Sequence, residues 1–182
     1  LNQMRWRVKR SDQLEKEAAA HVAALMAAAA RTSPKSRGID NIEVIVINDD
    51  ATKNKLIDKM KEISRAEERP SFARDANSIG PVSEVVVIGV RPNPAGLNCG
   101  FCGYPTCAEL SETEGICAYN SIDLGIAAGS AAAIAGSLHI DNRLMYSIGS
   151  ACLDLKLFSN TVKQGLGIPL SITGKNPLFD RK

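Results

Sequence analysis

The chain has 182 residues, with 22 lysines and arginines against 20 aspartates and glutamates, which leaves a net charge of +2. This length suffices for one domain with a sizeable core, and the balanced charge argues against nucleic acid or an anionic membrane surface as a partner. No apolar run reaches the roughly 18 uninterrupted residues that a membrane span needs, so we expect no membrane span.

The first half of the chain predicts a helix, a strand and a second helix. Residues 1–10 are basic and predict a solvated N-terminal arm. Apolar residues recur at the helical period over 14–29, and again over 56–63. Between these helices, the run 42–47 is apolar except for Glu43 and predicts a strand buried on both faces. Residues 72–77 show no decisive pattern.

The loop between the first helix and the first strand concentrates cations and hydroxyls. Guanidinium, ammonium and hydroxyl groups all donate hydrogen bonds to phosphate oxygens. An ordinary surface loop has the same composition, and no glycine-rich helix entry accompanies this one. The candidates for binding the phosphate of a flavin are Arg31, Ser33, Lys35 and Arg37.

The second half of the chain predicts two strands and two helices. The strands are 84–90 and 162–170, both rich in apolar residues. The helix predicted over 118–138 is dominated by alanine and glycine, which favours close packing against another helix or a symmetry mate. A last helix is predicted over 143–158, capped by Asp141-Asn142.

These elements predict one domain over residues 1–182. The fold class is α+β or α/β, with a mixed β-sheet and long helices packed on it. The cysteine-rich segment 98–117, called the cysteine loop below, follows a buried strand directly. Loops in that position often carry function.

The cysteine loop predicts an iron–sulfur cluster. Its four cysteines follow the pattern C-x2-C-x4-C-x9-C. A cubane cluster takes one thiolate on each iron, so four thiolates must surround a compact core. Gly100 and Gly103 each follow a cysteine and allow the backbone to approach a ligand closely. The candidate metal ligands are Cys99, Cys102, Cys107 and Cys117.

Two other uses of the cysteines stay open at this point. Structural zinc sites usually have two paired cysteine knuckles, and the second half of this pattern has no pair. Disulfides are compatible with five cysteines, but the count is odd and no secretory signal is visible. The fifth cysteine, Cys152, lies in an apolar helical stretch typical of a buried free thiol. Reduced cysteines without a signal segment predict a cytoplasmic protein.

The segment Cys99–Cys107 resembles the C-G-x-C-G-[YF]-x-x-C core of a 4Fe-4S domain found in several anaerobic electron-transfer proteins. In that domain the fourth cysteine comes later than Cys117 does here. A wider similarity is to a family of uncharacterised ferredoxin-domain-containing proteins of anaerobic bacteria and archaea, and it implies that all four cysteines bind a 4Fe-4S cluster. The stretches that carry it are 30–41, 121–127, 141–146 and 167–177.

The order of elements also resembles the FMN-dependent nitroreductase fold, on Ala30–Ile47 and Val162–Leu170. This resemblance implies a nitroreductase-like sheet, a bound FMN and a homodimer. The function expected is a redox protein that carries single electrons to a bound flavin or to a partner oxidoreductase, and so an oxidoreductase if substrate turns over. The alternatives are a non-enzymatic metal-stabilised interaction module and a sensor of iron or oxygen.

Overall fold

The computed structural model describes residues 8–179, so most of the predicted basic arm lies outside the described residues. Within them the chain forms six α-helices and four β-strands. The helices are α1 (Ser11–Thr32), α2 (Asp50–Ala66), α3 (Pro70–Ser78), α4 (Cys107–Ser111), α5 (Ala118–Ser137) and α6 (Tyr146–Asp154). The strands are β1 (Ile42–Ile47), β2 (Glu84–Val90), β3 (Asp141–Asn142) and β4 (Gln164–Ser171).

The strands form one sheet in the order β1-β2-β4-β3. The α+β class is confirmed, but the sheet is antiparallel at each of its three pairings instead of mixed. The reason lies in the connection through α2 and α3, a helix pair that brings the chain back to the end of the sheet where β1 stopped. Ile47, the last residue of β1, therefore pairs with Val85 near the start of β2.

The two neighbouring strands β1 and β2 differ in burial. Every residue of β2 is buried, because the strand has a partner on each side and helices on each face. The prediction that β1 is buried on both faces is wrong. This strand lies at the sheet edge, only Ile42 and Ile47 are buried, and Val46 is 36% exposed.

The sheet separates two hydrophobic cores. Val86 and Ile88 of β2 pack with α1 and α5, whereas Val85 and Val87 pack with α2, α3 and α6. This alternation is the two-residue period of a strand, applied to a sheet covered on both faces. The buried residues that α1 and α5 contribute to their shared core are mostly alanines, so those two helices lie close together.

Two segments differ from the sequence predictions. Residues 141–142 form β3 beside β4 and do not cap a helix. The helix predicted over 143–158 is shorter, since α6 begins only at Tyr146. Met145 exchanges two backbone hydrogen bonds with Gly167, which holds the preceding residues in extended conformation. The undecided stretch 72–77 belongs to α3.

The buried carboxyl group of Glu84 makes folding stability depend on pH. Burial raises the pKa of Glu84 above its ordinary range, and the neighbouring Lys53 opposes that shift. The unfolded chain then loses this proton at lower pH than the folded chain does. The contribution of Glu84 to stability is therefore expected to fall as the pH rises from about 4 towards neutrality. Denaturant unfolding at several pH values should show that the difference in stability between Glu84→Gln and the parent protein changes over this range, and a difference that does not vary with pH would contradict this account.

Candidate metal centre

The four cysteines of the cysteine loop are brought together by three elements. A stiff loop leaves the end of β2 and delivers the chain to Cys99, α4 begins at Cys107, and Cys117 precedes α5. The side chains of all four cysteines line one small pocket. The fold thus gathers the whole set of predicted ligands, which lie up to 18 residues apart in sequence.

The four sulfurs differ in their access to solvent. Cys117 is buried, Cys102 and Cys107 are half-buried, and Cys99 is exposed. All are free thiols, with no disulfide among them. Cys152 lies elsewhere, fully buried in the core under α6, where burial raises its pKa to about 12. The sequence interpretation of Cys152 as a buried free thiol agrees with this position.

The loop carrying the first two cysteines is tightly turned. Gly100 and Gly103 have φ angles of 73° and 85°, in the left-handed region where glycine is unstrained. The Gly103 N–H donates to the Gly100 carbonyl at 2.9 Å, which closes the turn between Cys99 and Cys107. Asn98 accepts a hydrogen bond on its side-chain oxygen from the Cys107 N–H at 2.8 Å. The turn and α4 are therefore fixed to each other.

Backbone amides point at the sulfur of Cys107. The N–H of Asn98 contributes most, the N–H groups of Gly96 and Leu97 contribute less, and together they lower the pKa of the Cys107 thiol below its ordinary value despite partial burial. Hydrogen bonds to the charged form favour that form. Amide hydrogen bonds to thiolate sulfur are also one of the means by which proteins set the potential of an iron–sulfur cluster. The donor arrangement fits such a cluster.

An apolar wall backs the pocket. Ala95, Leu110 and Cys117 are buried together, and the rings of Tyr104 and Tyr119 pack against them. The opposite side of the pocket opens towards solvent at Cys99. A group held here would be shielded from water on one side and accessible on the other.

Asn120 ties the entry of the cysteine loop to α5. Its side chain is buried and bonds both backbone groups of Asn93, accepting from the N–H at 2.9 Å and donating to the carbonyl at 3.0 Å. Asn93 precedes Cys99, and Asn120 follows Cys117 by one helical turn. The amide thus sets the spacing between the two halves of the cysteine pattern. Sequence reasoning missed this residue, although a lone amide on the inward face of a small-residue helix was the available signal.

Asn120→Ala is expected to destabilise the protein by about 2 kcal/mol, because it leaves the N–H and carbonyl of Asn93 without their partners. The measurement is denaturant unfolding of the variant beside the parent protein. Ser130, which lies further along α5 and is half-buried, offers a control as Ser130→Ala. Equal stability of Asn120→Ala and the parent protein would contradict a positioning role.

The residues predicted to bind a flavin phosphate are engaged with their own chain. Arg31 pairs with Asp40 and donates to the Ile42 carbonyl. Lys35 donates to the carbonyls of Ala30 and Arg31, each at 2.9 Å, which closes the C-terminal end of α1. Burial lowers the pKa of this ammonium group.

The other two predicted phosphate ligands also have partners in the protein. The Ser33 hydroxyl donates to the Ala30 carbonyl at 2.9 Å. Arg37, in left-handed conformation, donates to the Ala95 carbonyl at 2.8 Å. Arg37 thereby joins the predicted phosphate loop to the loop that leads to Cys99.

In residues 8–179 no three cysteine, histidine, aspartate or glutamate side chains converge tightly enough to hold a single metal ion. None of the helices described there has the length and apolar character required to cross a membrane.

The known structures similar to this one share its fold. An FMN-bound nitroreductase from Desulfitobacterium hafniense superposes with a TM-score of 0.61 at 14% identity, over 93% of this chain and 81% of that one. An FMN-bound nitroreductase from Bacteroides fragilis gives 0.61 at 11% identity, over 97% and 84%. A BluB-like flavoprotein from Clostridium difficile gives 0.58 at 15% identity, over 94% and 84%. The nitroreductase-like fold predicted from the order of elements is confirmed.

Sequence comparison identifies closer relatives. A protein of Archaeoglobus fulgidus, described only as uncharacterised, is 38% identical over 168 residues, which cover 87% of this chain and 89% of the relative. Residues 113–181 match the profile of a family described as "Uncharacterized protein containing a ferredoxin domain" (DUF2148). The chain therefore belongs to this family of uncharacterised ferredoxin-domain proteins.

Proposed function

We propose that this protein is a redox protein that holds a 4Fe-4S cluster on Cys99, Cys102, Cys107 and Cys117 and carries single electrons. The observation that carries the proposal is the single pocket lined by all four side chains. The family description, which names a ferredoxin domain, supports it.

The chemistry of the pocket suits such a cluster. Four thiolates supply one ligand for each iron, and amides directed at Cys107 favour a thiolate there. The profile match begins at residue 113 and therefore includes Cys117 alone of the four. The assignment of the other three cysteines rests on their spacing and on the shared pocket. Such a cluster, when bound, accepts and releases one electron at a time.

The residues around the pocket have roles of their own in this proposal. The turn at Gly100 and Gly103 lets the backbone lie close to the sulfurs. The wall of Leu110 and Tyr119 limits water on the buried side. Asn120 and Arg37 fix the loop between β2 and Cys99 from two directions.

A bound FMN is the second component proposed, as the acceptor of those electrons. Two of the similar structures are nitroreductases with FMN bound, and their fold is the fold of this chain. Arg31, Ser33, Lys35 and Arg37 remain the residues proposed to contact the phosphate. Arg31 and Arg37 have guanidinium N–H groups beyond their contacts to carbonyls, whereas Ser33 and Lys35 would have to exchange such a contact for the phosphate. Flavin released by acid from the anaerobically purified protein, measured by fluorescence, tests this component.

Two further assignments complete the proposal. The free thiols suit a reducing compartment, so we place the protein in the cytoplasm. The outer face of α5 suits a homodimer, because Ile122 and Ile126 are exposed there and Cβ atoms at Gly125 and Gly129 would have no other part of residues 8–179 within 4 Å, apart from neighbouring backbone of α5. Sedimentation of the purified protein measures the oligomeric state, and a monomer at micromolar concentration would remove the dimer.

The experiment for the central proposal is electron paramagnetic resonance. Protein purified without oxygen is reduced with dithionite and recorded at low temperature. A cluster that takes up one electron should give a signal that integrates to about one spin per chain. A protein that binds zinc, or one that is stabilised by metal without redox change, gives no such signal.

A further inference from the structure

The exposed rim of the cysteine loop carries large apolar side chains. Leu97 is 45% exposed and Phe101 is 67% exposed, on either side of the exposed Cys99. The ring of Phe101 stacks on Tyr119 with centroids 5.7 Å apart and an interplanar angle of 11°. Phe101 is thus held in place and still presents most of its surface to solvent. A held, exposed aromatic ring is typical of residues that dominate a protein interface.

The charged residues of the cysteine loop itself all have one sign. The stretch from residue 92 to residue 117 contains three glutamates and no lysine or arginine, in a chain whose net charge is +2. Glu109, Glu112 and Glu114 are all exposed. Two cations approach from elsewhere in the chain. Arg37 donates to the Ala95 carbonyl, and Lys163 lines a cleft with Glu114.

The surface that combines these features is called the docking face below. It consists of Leu97, Cys99, Phe101, Glu109, Glu112 and Glu114. Glu109 and Glu112 lie on or directly after α4, and Thr106 donates to the Glu109 carboxylate at 2.9 Å. The electrostatic character of the docking face is therefore acidic around an apolar centre.

We propose that the docking face binds an electron-transfer protein whose own contact surface is an apolar patch ringed by lysines and arginines. Charge complementarity favours such a partner, because opposite fields raise the association rate and suppress wrongly charged partners. Cys99, the most accessible of the four sulfurs, lies at the centre of the contact. The use of this contact for electron transfer rests on the proposed function. The contact itself does not.

The test measures binding of a lysine-rimmed cytochrome c, used as a probe partner, to the full-length protein by surface plasmon resonance. Replacing Glu109, Glu112 and Glu114 together by glutamine should weaken binding about tenfold at low salt, and raising the salt should weaken binding of the parent protein. The matched control replaces Glu62, Glu67 and Glu68, which are exposed at the end of α2 and nearby, and alters the net charge equally. This control should bind as the parent protein does.

Phe101→Ala tests the apolar centre, and it should weaken binding about tenfold at high salt as well. Equal loss of binding in the two glutamate triple variants would overturn the proposal, because net charge alone would then explain it. Unchanged binding of the docking-face triple would do the same. If Phe101→Ala instead changes only self-association of this chain, the docking face contacts a second copy and the proposal is wrong.

Iron analysis of the same samples separates this proposal from the proposed function. A variant that loses probe binding but retains its iron is altered at the docking face alone. Probe binding by a protein without iron supports the docking face and removes the cluster.

Discussion

Cys117→Ser is expected to lower the iron bound per chain as much as Cys102→Ser does. Cys117 is the buried member of the four and anchors the pocket to α5, so its loss removes one ligand and opens the apolar side. Changes that only disturb the surroundings of a metal ligand already cost about 10–100-fold in affinity. We therefore expect Cys117→Ser to lower the affinity for iron by about 100-fold. Iron and acid-labile sulfide, measured in anaerobic preparations of both variants, test this.

Cys152→Ala serves as the control for the ligand variants. Cys152 belongs to α6 and is buried in the core that this helix shares with α2 and α3. It does not line the pocket. Its replacement should leave the iron content unchanged. Full retention of iron in Cys117→Ser would exclude Cys117 as a ligand, and loss of iron in folded Cys152→Ala would show that the ligand set is wrong.

Gly149→Ala is expected to lower the free energy of unfolding by about 3 kcal/mol or more. A Cβ atom at Gly149 in α6 would collide with the carbonyl group of Gly165 and lie 2.7 Å from the Leu166 nitrogen, both in the backbone of β4. A flexible side chain can rotate away from such a contact, but a central strand cannot move without disturbing its pairing with β2. Thermal and denaturant unfolding of the variant measure the effect.

Gly125→Ala is the matched control, also a glycine within a helix. The position of its added Cβ has no neighbour within 4 Å in the described part of the chain, and Gly125 is exposed. Alanine loses less conformational freedom than glycine on folding, so the monomer of this variant should be more stable than the parent monomer by about 0.5–1 kcal/mol. If Gly149→Ala were as stable as Gly125→Ala, the close approach of α6 to β4 would be wrong.

Strong local patterns predicted most of the elements. The apolar runs at 42–47 and 84–90 correspond to β1 and β2, and the small-residue helix predicted from residue 118 corresponds to α5. These patterns are visible in the sequence because apolar residues recur at the positions of a strand or helix that are buried. The nitroreductase-like fold was expected only from the resemblance to that family in the order of elements, and the similar structures confirm it.

The direction and burial of the strands could not be predicted in this way. A run of six residues, five of them apolar, suits a central strand, yet β1 lies at the edge, since strand order depends on contacts far apart in the sequence. The glycines of α5 predicted a close helix contact, but alanines such as Ala127 and Ala131 are buried against α1 while Gly125 and Gly129 face outward. Composition cannot tell which small residue faces inward.

The sequence predicts the cysteines proposed as ligands in the candidate site, but it does not predict the contacts made by the residues around them. Cysteine spacing indicates which sulfurs to consider, because the chemistry of a cluster limits the residue types. Asn120 and its bonds to Asn93 depend on a contact across 27 residues, and amides of this kind leave no local pattern. The cations of the predicted phosphate loop likewise bond carbonyls that only the folded chain brings near, as Arg37 does with Ala95.

Metal and sulfide analysis of protein purified without oxygen tests the central claim most directly. The four cysteines that line one pocket should hold about four iron and four sulfide per chain, with a brown colour that bleaches on reduction. Material free of iron and sulfide, or one that carries about one zinc per chain in their place, would contradict the cluster and the electron-carrying function built on it.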